Sequence, residues 1–443
     1  METFSAISNL STFTMAIEMS SLPPPAAPLP PPPSRLRWAV VFLACALTGM
    51  AIGLLIWPQH LPTATPLFWI AVVGVSLVVA STVVVIRFRA YAGLERAAKS
   101  WDARRDAHVA DVFRVESRPI VLLAGAYRFS HDDAENAASA IAGGDLLLKS
   151  QTTPDKTTAI EARWFGALPY TVGEAPADYD ASRQLAVLDG LIAKLLDPVV
   201  GQIEMLPPAL PLVVRLHVTA PALTESVEER FQLAWRQRGL RDVSAANDPE
   251  APGLMSLDAW LDAPSGDARD HATLLVVIEL HSLMAERPPK GSAEAGVVLL
   301  MAPEDVAQRS RLAPVAQIHR PRQGTVAALR DTLAFALRWG ETDAGAIQHL
   351  WHSGFDRVGQ QALLSATRAG GITLMAEQRI SGEHDLDRTV GDSGIAADWL
   401  ALACACDFAQ TFGGPQLVAR QSGRESILGV VRATNRPSFP ASL

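Results

Sequence analysis

Two long apolar runs dominate the first hundred residues, and shorter ones recur through the rest of the chain. Between Trp38 and Ile86 there is no Asp, Glu, Lys or Arg. The runs Trp38–Trp57 and Leu67–Ile86 are each about 20 residues long, which at 1.5 Å rise per residue spans roughly 30 Å of helix, the thickness of a bilayer's hydrocarbon core. Pro58, Pro62 and Pro66 lie between them and cannot continue a helix, so a turn is predicted there. The pattern predicts a transmembrane hairpin over 35–87, with spans 38–57 and 67–86.

After the hairpin the period changes. Residues 88–112 read as a charged juxtamembrane helix, and its continuity with the second span is left open. Then come short apolar runs of the kind that form buried strands. Ile120–Ala124, Leu212–Val218, Thr273–Leu280 and Val297–Met301 are the clearest. Val315–His319, Ile347–Trp351, Gly371–Ala376 and Ile427–Val431 are weaker examples. Between them Thr224–Arg236, Thr325–Trp339 and Asp356–Arg368 show helical spacing. Ile395–Phe412 is apolar nearly all round, as in a helix packed on several sides. Strands alternating with helices predict an α/β domain with a covered sheet over 113–443. No internal repeat is evident in the sequence.

Charge settles the orientation that this pattern implies. Arg35 and Arg37 precede the first span, Arg87 and Arg89 follow the second, and the turn between has no Lys or Arg. The positive-inside rule then places both termini in the cytoplasm. Residues 1–34 form an arm with eight prolines among the fifteen residues from Ser20 to Ser34, read as a disordered polyproline spacer. A net charge of −8 argues against a nucleic-acid partner. Three cysteines make no disulfide framework in 443 residues, and no Cys/His spacing fits zinc, so no cofactor or metal is expected.

Several segments, in order, resemble the thiolase-like fold of the β-ketoacyl synthases. TLLVVIELHS (Thr273–Ser282) is similar to a strand of those enzymes that ends in a serine-containing turn. SAEAGVVLLMAP (Ser292–Pro303) is similar to their small-Glu-Gly-Ala strand, read here as opening the second half. DRTVGDSGIAADWLALACACDFA (Asp387–Ala409) resembles their Gly-His loop with its buried helix, and ESILGVVRA (Glu425–Ala433) their last strand. The resemblance implies a layered α/β/α domain with halves of about 113–285 and 286–443. It also implies a cysteine on a strand-to-helix turn and two histidines.

The sequence departs from that chemistry. No Cys lies between Cys45 and Cys404, and Asp392 follows Gly391 where the family has histidine. His352 matches the first histidine position without its flanking threonines. The expectation is a pseudo-enzyme with degenerate positions His352 and Asp392 and no catalytic residues. Catalysis with other residues would need Asp392, His352 and Ser353 to converge in one pocket. Gly391–Gly394 also matches the tetrapeptide around a chymotrypsin-like nucleophile, but that family's histidine motif is absent; Asp392 or Ser393 is read as capping the helix at Ile395. His349 and His352 are three apart and should face opposite ways on a strand. The layout is similar to membrane-tethered accessory proteins of type VI secretion. The resulting expectation is a multi-pass protein of a bacterial inner membrane that acts as a cytoplasmic adaptor or scaffold. Its partner would be a secretion component or an effector. The alternative is a membrane-tethered sensor that binds an acyl or coenzyme A ligand.

Overall fold

The computed structural model describes residues 23–58, 62–144, 146–171, 173–248, 252–262, 270–376 and 381–434. Residues 1–22 of the expected arm, the centre of the 57–66 turn and most of the 263–271 loop lie outside the described residues. Contacts divide the chain into two units, one ending at Val115 and one running on from Glu116.

The first unit contains α1 (Arg35–Ile56) and α2 (Pro66–Arg114). Ser34 caps α1 through its hydroxyl, which accepts from the Arg37 N–H at 3.4 Å. Pro66 stands in the first turn of α2, where its missing N–H costs nothing. A π-turn at Ile70–Gly74 interrupts α2 but does not end it. The charged helix expected over 88–112 therefore continues the second apolar run without a break. The two helices approach closely at Gly49, where an added Cβ would lie 2.8 Å from the Ser76 hydroxyl. Residues 23–34 have no regular structure. Their Pro23 and Pro24 carbonyls accept from Arg105 Nε (2.7 Å) and Trp101 Nε1 (3.1 Å) of α2. Both helices are long and apolar enough to cross a membrane.

The second unit is built on one 10-stranded sheet. Its strands are β1 (Ile120–Arg128), β4 (Leu212–Thr219), β5 (Ala272–Glu279), β6 (Ala295–Pro303), β7 (Ala316–Ile318), β8 (Arg322–Thr325), β9 (His349–Ser353), β10 (Glu383–Asp385), β11 (Gln416–Ser422) and β12 (Glu425–Ala433). A separate hairpin pairs β2 (Ser150–Thr152) with β3 (Ala159–Glu161). The sheet order is β10-β9-β11-β12-β7-β1-β6-β5-β4, with β8 beside β12.

That order is a duplication. Counting β7, β9, β10, β11 and β12 as first to fifth, the second half reads third, second, fourth, fifth, first. Only the fifth, β12, runs antiparallel to the others. The first half repeats the pattern with β1 as first strand, β4 second, β5 fourth and β6 fifth, and again only the fifth is antiparallel. Among the described residues its third strand is one parallel bridge, from Leu216 on the outer edge of β4 to Asn247. The halves meet where β1 pairs antiparallel with β7, Ile120 opposite Ile318. This is the thiolase-like two-half arrangement that the sequence motifs imply. One boundary moves. The strand expected to open the second half is β6, which closes the first as a hairpin with β5, Thr273 opposite Met301. The second half begins at β7, well past residue 286.

The helices repeat as well. α3 (Pro176–Leu196) and α5 (Val227–Gln237) cover one face of the first half, burying Leu188, Leu191, Phe231 and Trp235 against Leu216, Leu274 and Leu300. The short α4 (Val200–Glu204) follows α3. α7 (Leu329–Trp339) and α8 (Arg357–Ala369) do the same for the second half, through Leu333 and Leu363. Ser226 and Asp356 cap α5 and α8. The other face buries α9 (Ala397–Phe412) together with α6, described over Ser256–Asp262. α6 is the counterpart of α9. Trp260 of α6 stacks on Trp399 of α9 with ring centroids 5.9 Å apart, and the Trp399 indole donates to the Pro252 carbonyl at 2.8 Å.

Candidate functional site

The residues marked by the sequence lie where β9 and β10 end and α9 begins. All five residues of β9 are buried. His349 shares a face with Trp351, and its Nδ1 lies 3.1 Å from His384 Nε2. His352 is on the opposite face, as its spacing implies, with Nε2 3.2 Å from Glu383 Oε1. Gln360 Nε2 donates to the same oxygen at 2.9 Å. The imidazole beside it holds the Glu383 carboxyl below its usual range. Burial depresses His349 and brings His384 down to about 3, so the stacked pair stays neutral at physiological pH.

Asp392 is elsewhere. Its carbonyl accepts from Ala293 N at 2.7 Å and its N–H donates to the Gly291 carbonyl at 2.8 Å, tying the loop before α9 to the start of β6. Its exposed carboxylate accepts from the Gly394 N–H at 3.2 Å. Ser393 is buried and makes no side-chain cap. Glu279 at the end of β5 takes the next N–H, that of Ile395, at 3.4 Å. Gly391 in this loop has φ +111° and no room for a Cβ, which would meet the backbone of Ser292 at 3.0 Å. His352 points toward α8, while Asp392 stands on the approach to α9, which covers the other face. None of the described cavities of 320 to 460 Å³ is lined by His352, Ser353 or Asp392.

The thiols are equally remote. Cys404 and Cys406 sit in the middle of α9, fully buried, and burial pushes both far above the ordinary thiol range. Cys45 belongs to α1. In the first half, the loop that enters α6 is Pro252-Gly253-Leu254-Met255 and offers no nucleophile.

Charged residues that the sequence did not mark hold this region together. Arg183 of α3 and Glu294 form a fully buried bidentate pair at 2.9 and 2.6 Å. Glu294 also accepts from the N–H groups of Phe165 and His281, both at 2.9 Å. Arg420 Nε pairs with Asp398 at 3.0 Å. Arg320, buried, reaches Asp258 and Asp262 of α6 at 2.5 and 2.8 Å. Burial, with Asp392 and Glu294 adding to it, lifts the Glu279 carboxyl to about 7. No group of ligands suited to a metal ion is present among the described residues.

No family model and no curated protein matches the sequence. Solved structures that the chain is similar to include ketosynthases. The ishigamide ketosynthase/chain length factor has 15% identity and a TM-score of 0.47, covering 72% of this chain and 100% of its own. A ketosynthase domain of the oxazolomycin system of Streptomyces albus JA3453 has 15% identity and a TM-score of 0.44, covering 72% and 96%. The module 1 ketosynthase of the Bacillus amyloliquefaciens FZB42 bacillaene synthase has 11% identity and a TM-score of 0.46, covering 73% and 77%. The two-half architecture stands on the strand order, independently of these likenesses.

Proposed function

We propose that this protein is a non-catalytic adaptor anchored in a bacterial inner membrane, with its thiolase-like domain in the cytoplasm as a platform for a protein partner. The flanking Arg35, Arg37, Arg87 and Arg89 give the orientation, with both termini inside. The observation that carries the reading is the state of the strand-to-helix turns. In the first half the turn at 252–255, which leads into α6, lacks a thiol. In the second, Asp392 replaces histidine and is spent on backbone contacts. A negative carboxylate there opposes an oxyanion instead of stabilising it. The layout fits an accessory component of a type VI secretion machine that receives effectors.

The test is affinity purification of the detergent-solubilised full chain, with mass spectrometry of what co-purifies. A stoichiometric secretion component or effector-like protein supports the adaptor. One observation favours the alternative, an acyl or coenzyme A sensor. A groove of about 320 Å³ beside α3 is lined by Phe165, Leu168, Val187 and Leu191 among smaller residues, and by Arg128 and Lys194. Apolar walls with two cations among the lining residues suit an amphiphile with an anionic head. Co-purification of such a ligand without a protein would transfer the assignment to the sensor.

A further inference from the structure

Among the described residues, one strand edge in the middle of the sheet has no pairing partner. β1 is paired with β6 along its whole length from Ile120 to Arg128. On its other side β7 pairs only with Ile120, Val121 and Leu122. The last bond there runs from Val315 N to the Leu122 carbonyl at 2.8 Å. A β-bulge at Leu122/Ala124 follows at once, the device by which strands end one pairing and re-aim. From Ala124 to Arg128 no described residue pairs with that edge, and the strand changes from fully buried to partly exposed, Gly125 most of all. Alternate backbone N–H and C=O groups of a strand paired on one side point away from its partner.

This edge is the floor of a cavity of about 460 Å³. One wall is α9, through Cys406, Asp407 and Gln410; the other is the end of α3 and α4, through Lys194 and Gln202. The walls stand on opposite sides of the sheet, so the recess admits one strand and excludes a second sheet. Ala124, Gly125 and Ala126 keep the floor clear of bulky side chains. At one end Arg128 and Lys194 share a single carboxylate, Asp133, at 2.6 and 3.2 Å, leaving one cation in excess.

We infer that this recess binds an extended segment of a partner protein by β-strand addition, pairing backbone to backbone with Ala124–Arg128. A run of alternating donors and acceptors about 17 Å long is matched by another peptide backbone. The residue lying over Lys194 and Arg128 is acidic. The described residues end at Thr434 beside the recess, where Thr434 N donates to the Val315 carbonyl at 3.3 Å. The segment that follows in the sequence, 435–443, is a poor occupant. Pro437 and Pro440 are three apart, so any pairing that includes both puts one of them on the pairing side, where a donor is needed. The inference rests on the adaptor reading and names the form of the partner's contact.

The test is selection of ten-residue peptides from a random display library on the solubilised full chain. Each selected peptide is then N-methylated at alternate backbone positions. The expected result is peptides that slow amide exchange within Ala124–Arg128 at least tenfold. One alternate set of N-methyl groups should abolish binding while the other is tolerated. Gln410→Trp, an exposed change on the wall, should weaken binding at least tenfold with an unchanged melting curve. Failure to select any peptide, binding indifferent to N-methylation, or binding indifferent to Gln410→Trp overturns the inference. If Gln410→Trp still co-purifies the wild-type partner, the recess falls and the adaptor stands. If neither protein retains a partner, the adaptor reading itself falls.

Discussion

The two halves of the domain share a strand order but differ in what they keep. The second half retains a third strand, β10, and the sixteen-residue α9, buried on almost every side. In the first half the described residues give the same unit as one bridge at Asn247 and α6. The described part of that half is held by buried charge. Arg320 of the β7–β8 connection ties down α6 through Asp258 and Asp262, and the Arg183–Glu294 pair fixes the loop at the other end of β5.

The comparison can be broken at the clamp first. Arg183→Ala leaves Glu294 buried without its partner, and stability should fall by about 3–5 kcal/mol in chemical denaturation. A loss below about 1 kcal/mol would mean that the pair is incidental. Next comes Glu279. Its carboxyl is raised from 4.5 to about 7, so the fold favours the protonated form. The stability it contributes is full below pH 4.5 and lost as pH rises through 7. Between about pH 5 and pH 8 the wild type should lose up to about 3 kcal/mol that Glu279→Gln retains. Equal pH slopes for the two proteins would contradict this.

The caps test the symmetry more finely. Ser226 accepts from Glu229 N at 3.2 Å at the start of α5, and Asp356 from Gly359 N at 2.6 Å at the start of its mate α8. Replacing either with Ala should cost about 1 kcal/mol, and the two losses should agree within a factor of about two. The smallest effect is expected from Asp392→Ala. Its carboxylate is exposed and holds one N–H, so thermal unfolding should shift by the equivalent of no more than about 1 kcal/mol, with partner binding intact.

Much of the fold was legible in the apolar runs. Thr273–Leu280 and Val297–Met301 became β5 and β6 because both faces of those strands are covered. Polar strands were not legible. β10 is Glu-His-Asp, three residues that form a strand only because β9 supplies the pairing. β11, Gln416–Ser422, alternates too weakly with charge to stand out, and α3 was missed altogether. The expected strand at Gly371–Ala376 does not form. Met375 N bonds to the Gln348 carbonyl, and pairing stops at one bridge, Ala376 to Ser381. The duplication was invisible for the same reason, since the halves share topology and caps but no motif. At the site, the lack of a thiol and the opposed faces of His349 and His352 could be read directly. The Arg183–Glu294 clamp could not, its members being 111 positions apart.

The central claim is that this fold serves as a platform and transfers no acyl group. Intact-mass spectrometry of the purified full chain after incubation with acyl-coenzyme A thioesters tests it directly. The account predicts an unchanged mass, with Cys404 and Cys406 unmodified inside α9. A stoichiometric acyl adduct on any side chain of the domain would contradict it.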